Sequence, residues 1–568
     1  MIGRTTFPTL ILASLVAGVL FPPVRASAAG PPVETLIRQL ADESPVVRRK
    51  AIDAITHSKD VRMIAVLKAF NLGNLYLWKA GGDRVVLCEK TTKDASGKEL
   101  APLSDPLTGQ PVLKDGKQVV RPIDDLTQMG PSGLERRLVG NAITVLELWD
   151  PDPDVQVVAI QRVGNSGKAE FIPALEEVAA DAMLSEKTRR NAHESIDVIQ
   201  LLAANTPKAD RIAAAQALGK LRSTRGASIL GDQLEHMHQD AADGKTVDLE
   251  LQQTYEKAVA QIESYQRLVR GLGYVRDGIS QGSILILMAL GLAITFGVMG
   301  VINMAHGELM MIGAFATYAM QQFFVKNLPE SMFNWYFVAA LPVAFLSAAI
   351  CGYFVEMLVV RFLYGRALDT MLATWGVSIV LIQAVRAIYG NNIGVNAPTW
   401  FRGGFEVIQD LVLPYNRCFI VILCVLCVAL IYGLLGYTKI GLRIRATVQN
   451  REMAAALGVS TRRVDGYTFA LGAGIAGIAG YALTLIGGVT PDMGQNYIVE
   501  SFLVVVTGGV GELAGTIYAG LGLGVLDKIF EPFTGAVWGQ VLILVVVILF
   551  IQRRPSGLFP PKGRLADV

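Results

Sequence analysis

Six ionisable residues lie within otherwise apolar stretches of the second half of the chain: His306, Glu308, Glu356, Arg386, Glu500 and Glu512. Charged groups are costly in hydrocarbon, so residues of this kind commonly contact a transported solute or ion. Helix packing or capping is the simpler explanation for any single one of them, and Arg386 can also extend to the membrane surface. Together with nearby hydrogen-bonding groups, they define the candidates for a solute pathway: Asn303, His306, Glu308, Thr507, Gly508, Gly509 and Glu512.

Nucleotide and metal chemistry are not expected in this chain. A phosphate-binding loop needs Gly, four further residues, Gly-Lys and then Ser or Thr. Four of the five Gly-Lys pairs are followed by Glu, Gln, Ala or Leu, and the fifth, Gly244-Lys245-Thr246, has Gln239 where the first Gly of the loop is required. Cys424 and Cys427 have a redox or metal spacing, and Cys418 lies shortly before them, but no His is near them in the sequence. We expect these two thiols to pack on one helical face, and we predict no cofactor. ATP hydrolysis, if the function needs it, must come from another subunit.

A basic segment separates two of the apolar stretches. We predict a helix of about three turns from Arg445 to Leu457, a left-handed end at Gly458 and a further helix after Ser460. Such a helix at the membrane surface could transmit force to a soluble subunit. It could equally be an interfacial helix that binds anionic lipid.

The elements that must position these residues are membrane spans. Between Ile279 and Gln552, 26 of 274 residues are charged, whereas the other 294 positions hold 74 charged residues, as in soluble proteins. The apolar stretches of this half are Ile279–Ile302, Met304–Val325, Trp335–Val360, Met371–Tyr389, Phe419–Leu435, Val464–Ile486, Tyr497–Thr507, Leu513–Leu526 and Val537–Ile551. Basic residues cluster in alternate connections and in the tail, which predicts eight or nine segments and a cytoplasmic C-terminus. The last three stretches are short and glycine-interrupted, as is usual beside a solute pathway.

The N-terminus has the pattern of a secretory signal over residues 1–29, with an early Arg4, an apolar run and small residues at the expected cleavage site. Residues 30–270 are then expected to be exported, and residues 271–568 to form the membrane domain. The formal net charge of +2 gives no reason to expect nucleic-acid binding.

Residues 30–270 contain a helical repeat. Five nine-residue windows share a central Ala and an apolar stripe: Val47–Ile55, Leu138–Leu146, Val155–Val163, Thr188–Ile196 and Asp210–Leu218. The pattern resembles HEAT-like repeats, whose paired helices stack, although any Ala-rich amphipathic helix bundle gives a similar pattern. Residues 83–125 instead show β-branched runs and Asp-Gly or Ser-Gly turns, so we predict a small β insertion there. It is either a partner-binding loop or a solvated decoration.

The basic segment has Glu452, Ala454, Ala455 and Gly458 in a Glu-Ala-Ala and Gly pattern. Further motifs are Ile302–Glu308, the Ala/Gly-rich span after Val464, Val506–Gly509 and Arg554–Phe559. With these residues the membrane half resembles the branched-chain amino acid permease family of ABC importers. The resemblance implies a coupling segment that includes Arg445 and lies in a cytoplasmic loop over residues 437–463. The long N-terminal extension is similar to that of the urea-transport permease subgroup.

The resemblance implies an all-α polytopic permease, preceded by an α-helical repeat domain with a small β insertion. It implies a non-enzymatic subunit of a bacterial inner membrane, with cytoplasmic ABC ATPases, a second homologous permease, an exported solute-binding protein and membrane lipid as partners. Urea or a short-chain amide is the expected solute, and branched-chain amino acids are the alternative. A membrane-anchored solenoid scaffold is a further alternative, but an anchor needs only one span.

Overall fold

The computed structural model describes residues 33–42, 44–88, 92–93, 99–114 and 117–560. The expected signal segment, residues 1–29, lies outside the described residues. The chain divides into two compact units between Tyr265 and Gln266, close to the domain boundary expected at residue 270. We refer to them as the N-terminal unit and the membrane unit.

The N-terminal unit is mainly helical. Its helices are α1 (Val33–Gln39), α2 (Pro45–His57), α3 (Met63–Leu72), α4 (Gly133–Glu147), α5 (Pro153–Asn165), α6 (Ile172–Ala180), α7 (Glu186–Leu202), α8 (Lys208–Leu221), α9 (Thr224–Ala242) and the first part of α10 (Leu249–Met299). Several begin at strong caps: Ser132 and Glu135 form a capping box at α4, and the Asp152 side chain accepts from the Asp154 amide at α5.

All five predicted repeat windows lie on helices, namely α2, α4, α5, α7 and α8, and each of these helices packs on the next one in this series. Their shared alanines are at most 2% exposed: Ala51, Ala142, Ala159, Ala192 and Ala214. A methyl side chain at this position therefore lets each helix approach its neighbours, as the pattern indicates.

Short antiparallel strands interrupt the helices. They are β1 (Leu75–Trp78), β2 (Arg84–Leu87), β3 (Thr92–Lys93), β4 (Glu99–Pro102), β5 (Leu113–Lys114), β6 (Lys117–Gln118), β7 (Val120–Pro122) and β8 (Thr127–Met129). One sheet has the order β2-β1-β8 with Leu75 opposite Leu87 and Met129, a second has the order β3-β4-β7, and β5 pairs with β6. The strands begin at Leu75 and end at Met129, so they extend beyond the predicted limits of 83 and 125.

The membrane unit is formed by the rest of α10 and ten further helices: α11 (His306–Asn327), α12 (Tyr336–Leu358), α13 (Ala367–Tyr389), α14 (Tyr415–Tyr437), α15 (Lys439–Gln449), α16 (Arg451–Ala456), α17 (Thr461–Leu483), α18 (Met493–Gly508), α19 (Leu513–Thr534) and α20 (Ala536–Arg553). A hairpin of β9 (Gly404–Ile408) and β10 (Leu411–Pro414) precedes α14. Each of the nine predicted membrane segments overlaps one of these helices. Seven helices of the described chain are long and apolar enough to cross a membrane; α11 and α18 are the two predicted segments outside that set.

Backbone-to-backbone contacts hold the centre of the membrane unit together. Helices α11, α12 and α17 pack on one another, and α17 is rich in Gly and Ala. A Cβ added at Gly313 would collide with the Gly477 backbone, and one added at Gly480 would collide with the carbonyl of Met310. Small residues of this kind let helices approach closely where lipid supplies no hydrophobic driving force between them.

Candidate functional site

The connection from α10 to α11 is buried and fixed by hydrogen bonds. Asn303 Oδ1 accepts from the Ala305 amide at 3.0 Å, and the Met304 amide donates to Thr374 Oγ1 on α13 at 3.0 Å. Nε2 of His306, the first residue of α11, lies 3.1 Å from the carbonyl oxygen of Met288 on α10. The structure therefore brings this connection into the interior of the helical unit.

Three of the predicted pathway residues lie together here. The residues Asn303, His306 and Glu308 are each at most 1% exposed. Within the described chain, Asn303 Nδ2, His306 Nδ1 and Glu308 Oε2 have no hydrogen-bond partner. Buried polar atoms without partners are unfavourable, so each of the three is a position where a polar solute could complete the hydrogen bonding. We call Asn303, His306 and Glu308 the polar cluster because they follow one another closely in the chain.

A second helix begins beside this cluster. Helix α18 starts at Met493, and a Cβ added at Gly494 would collide with the backbone of Gly307 in the first turn of α11. The N-terminal ends of two helices thus meet in the interior of the membrane unit. The unpaired amides at such ends attract negative or carbonyl oxygens, and discontinuous helices of this type form solute sites in transporters.

The other predicted pathway residues do not join this cluster. Thr507 and Gly508 are at the opposite end of α18, about 21 Å along the helix axis from Gly494 at 1.5 Å per residue. The C-terminal tail covers them: the Leu558 amide donates to the Thr507 carbonyl at 2.8 Å, and the Phe559 amide donates to the Gly508 carbonyl at 3.2 Å. The sequence motif at 506–509 and the tail motif at 554–559 are therefore hydrogen-bonded to each other at the C-terminal end of α18.

Two further candidates of this group lie just beyond that turn. Gly509 has a φ of 105°, which favours glycine, and a Cβ there would collide with the Phe559 carbonyl. The half-buried Glu512 precedes α19, and its amide donates to the Gly509 carbonyl at 3.1 Å. The turn therefore accounts for the glycine at 509, and Glu512 takes part in the turn through its backbone amide.

The remaining intramembrane ionisable residues have partners. Arg386 pairs with Asp492 at 2.8 Å, just before the start of α18, so its side chain is used in an ion pair. Glu500 accepts a hydrogen bond from Gln540 at 3.0 Å. Cys424 and Cys427 are both buried in the same core cluster, as expected for packing residues. Among the described residues, no group of three or more His, Cys, Asp or Glu side chains is placed to bind a metal ion.

The predicted helix from Arg445 to Leu457 is wrong in one respect, because it is broken. Asn450 has extended backbone angles (φ −156°, ψ 107°), and its Oδ1 accepts from the Met453 amide at 3.0 Å, so it ends α15 and caps α16. An Asn side chain competes for backbone hydrogen bonds and favours a cap over a helix interior. The predicted left-handed end at Gly458 is confirmed by its φ of 84°, and α17 begins at Thr461.

The surface formed by residues 452–458 is exposed to solvent and partly apolar. Glu452, Ala455 and Gly458 are exposed, whereas Ala454 is buried. Met453 and Leu457 are exposed apolar neighbours of these residues, and Leu457 is 79% exposed. Arg445 donates to the Gly436 carbonyl at 3.3 Å, which fixes α15 to the end of α14. The predicted coupling residues thus form a short surface that another protein could contact.

Two residues of functional interest were missed by the sequence reasoning. Asp465, in the second turn of α17, is fully buried and pairs with Arg451 at the start of α16. Thr374 holds the backbone before His306. An acidic residue at the start of an apolar span was a usable signal for Asp465, whereas a lone Thr in α13 carries none.

Comparison with known proteins shows what the membrane unit is similar to. Residues 274–551 match the family described as "Branched-chain amino acid transport system / permease component". The membrane unit matches this permease family. The high-affinity branched-chain amino acid permease LivH of Salmonella typhimurium is 28% identical over 289 residues, which cover 50% of this chain and 93% of LivH. BraD of Pseudomonas aeruginosa is 26% identical over 291 residues, covering 50% of this chain and 93% of BraD.

A second type of permease also matches. LivM of Escherichia coli is 26% identical over 302 residues, covering 49% of this chain and 68% of LivM. No solved structure matches the chain significantly. The membrane unit is thus similar to membrane permeases, as the sequence resemblance implies, and the family match over residues 274–551 lies within this unit.

Proposed function

We propose that the chain is the permease subunit of an ATP-driven, binding-protein-dependent importer. The observation that carries the proposal is the match of residues 274–551 to a permease family. The chain's own features agree with it: a buried polar cluster for a solute and an exposed segment for a motor subunit. Cytoplasmic ABC ATPases, a second homologous permease and an exported solute-binding protein are the partners that this function requires.

The proposed solute site is the junction of α11 and α18. A solute would replace the missing hydrogen bonds of Asn303, His306 and Glu308. Thr507, Gly508, Gly509 and Glu512 would act at the other end of α18, where the tail closes over the turn, as part of the gate. Alternating access would then open the α11–α18 junction to one side of the membrane at a time.

Two solute classes are candidates. Urea or a short-chain amide is favoured by the N-terminal extension, which resembles that of urea-transport permeases, and by the neutral Asn303. A branched-chain amino acid is favoured by two observations: the start of α18 beside α11 could hold a carboxylate, and the Glu308 carboxylate could pair with an ammonium group. The relatives named above are branched-chain amino acid permeases, which supports the second class.

For the N-terminal unit we propose an exported, HEAT-like repeat domain behind a signal peptide over residues 1–29. Residues 30–270 would then be extracytoplasmic, while the loop at 437–463 and the C-terminus of the membrane domain, residues 271–568, would be cytoplasmic. The burial of the five shared alanines supports the repeat, and the basic residues of the 437–463 loop support its placement.

Uptake by proteoliposomes that contain the complete transporter tests the function. Labelled leucine and urea are supplied with the binding protein, and each is competed with leucine, urea or acetamide. We expect ATP-dependent uptake of one class, competed only by that class. Glu452→Lys or Gly458→Asp should abolish uptake at normal membrane levels. Uptake of neither solute, or uptake that needs no ATP, would contradict the proposal and favour a membrane-anchored scaffold.

Deletion of residues 31–266 behind the retained signal tests the N-terminal unit. If this unit holds the solute-binding protein, the deletion should weaken docking of that protein and lower uptake together. Unchanged docking and uptake would show that the unit does not hold the solute-binding protein and has either another exported partner or none.

A further inference from the structure

A buried ionic cluster connects the short helix α16 to the membrane helices. Asp465 of α17 is fully buried, and its carboxylate pairs with the guanidinium of Arg451, the first residue of α16. The same guanidinium lies over the ring of Tyr364, 5.1 Å from its centroid. The first residue of α16 is therefore held by α17 and by the segment between α12 and α13.

The cluster continues onto α12. The Tyr364 hydroxyl donates to Glu356 Oε1 at 3.1 Å, and Arg361 Nη2 lies 3.4 Å from Glu356 Oε2. Glu356 is fully buried on α12. Gly466 permits this approach, because a Cβ there would lie 3.0 Å from the Tyr353 ring and 3.5 Å from Glu356 Oε2. Two buried carboxylates are thus neutralised by two half-buried guanidinium groups.

Backbone geometry isolates α16 from its neighbours in sequence. The extended Asn450 separates it from α15, and the left-handed Gly458 separates it from α17. A six-residue helix between two such breaks can move as one piece. The Arg451 side chain is a link from that piece to the buried parts of α12 and α17, and both of those helices pack on α11, which begins at the candidate solute site.

We propose that Arg451, Asp465, Tyr364 and Glu356 are positioning residues that transmit displacement of α16 to α12 and α17. The inference rests on the proposed importer function and adds the residues that couple the ATPase subunit to the solute site. Arg451 moves with α16 and contacts Asp465 of α17 directly. Arg451 contacts Glu356 of α12 through Tyr364, whose ring lies beside the guanidinium and whose hydroxyl donates to Glu356. Glu452 of α16 and Leu457, which directly follows α16, are exposed and remain available to the motor subunit.

The test uses the complete transporter in proteoliposomes, with ATP hydrolysis and uptake of leucine and urea measured in parallel. Arg451→Ala should lower the number of solutes moved per ATP by about 10-fold or more, in the range of coupling free energies between sites, while ATPase association and basal hydrolysis persist. Tyr364→Phe keeps the ring under Arg451 but removes the hydroxyl, and should lower the ratio less. Arg366→Ala is the matched control, because Arg366 lies in an exposed ion pair with Asp369.

Charge reversal separates coupling from folding. Arg451→Asp combined with Asp465→Arg should recover transport per ATP relative to Arg451→Asp alone. An unchanged transport-to-ATP ratio in Arg451→Ala, an equal loss in Arg366→Ala, or a reversal no better than the single variant would overturn the inference. Membrane levels and thermal stability are measured for each variant. Failure of the wild type to move either solute would instead reject the importer function itself.

Discussion

The two units of the chain use small residues in different ways. In the N-terminal unit, each repeat helix places one alanine methyl, such as that of Ala51 or Ala159, in a packed interior. In the membrane unit, glycine backbones such as those of Gly313 and Gly477 meet directly, with no space for a methyl group. Apolar stripes drive association in water, whereas helices in lipid gain stability from close contact. The membrane unit should therefore be the less tolerant of added volume.

The largest effect is expected at Gly480, where a Cβ would collide with the carbonyl of Met310. Gly480→Ala should destabilise α17 by about 3 kcal/mol or more, because backbone cannot yield as a side chain does. Gly522→Ala is the control on α19, since no atom lies within 4 Å of its Cβ position. This control should be neutral or stabilising by up to about 1 kcal/mol through helix propensity. Hydrogen exchange of the two helices measures both, and equal effects would contradict the comparison.

A smaller effect is expected at Ala159 in the N-terminal unit. Ala159→Leu overfills the interface of α5 and should cost about 2 kcal/mol, since neighbouring side chains can partly adjust. Val158 is the exposed neighbour on the same helix, so Val158→Leu should change stability by less than about 0.5 kcal/mol. A loss at Ala159 that exceeds the loss at Gly480 would reverse the proposed difference between the units.

The parts of the fold that could be predicted are those encoded by local sequence patterns. Apolar length and the alanine-centred stripe are local signals, so a helix lies at each of the nine predicted apolar stretches and at each of the five repeat windows. Of the described helices, seven are long and apolar enough to cross a membrane, against the eight or nine segments predicted. The break at Asn450 was missed because a single capping residue outweighed a helical pattern on both sides. The predicted pathway residues separated into two groups because their positions depend on the packing of α11 against α18 and on the tail, which no local pattern reveals.

The smallest effect on stability is expected from a change of charge in the N-terminal unit. Burial, together with the nearby Glu194 carboxylate, raises the pKa of Asp197 on α7 from 3.8 to about 7. Between about pH 4 and pH 7 the folded unit therefore keeps a proton that the unfolded chain has lost, so its stability falls as the pH rises through this window. Asp197→Asn should remove the dependence and add on the order of 1 kcal/mol at pH 8. A protection factor of α7, corrected for the intrinsic pH dependence of amide exchange, that stays constant across this window in the wild type would contradict this.

The pKa of Glu135, in the same unit, is shifted in the opposite direction to that of Asp197. Burial alone would raise its pKa, but hydrogen bonds from Arg48 and Ser132 outweigh burial and lower it. The stability it contributes is present above the pKa of the unfolded carboxyl and is lost as the pH falls. The stability of the N-terminal unit is therefore lowered at high pH by the half-buried Asp197 and at low pH by the loss of the Glu135 contribution.

Site-specific photocross-linking tests whether the coupling residues of the membrane unit, and not the N-terminal unit, contact the ABC ATPase. A photoreactive residue replaces either Leu457, 79% exposed beside the coupling residues, or Met183, 85% exposed in the N-terminal unit. In membranes that contain the whole transporter, we predict a cross-link from position 457 to an ABC ATPase subunit and none to it from position 183. A cross-link to the ATPase from position 183, or none from position 457 in an assembled complex, would contradict the account.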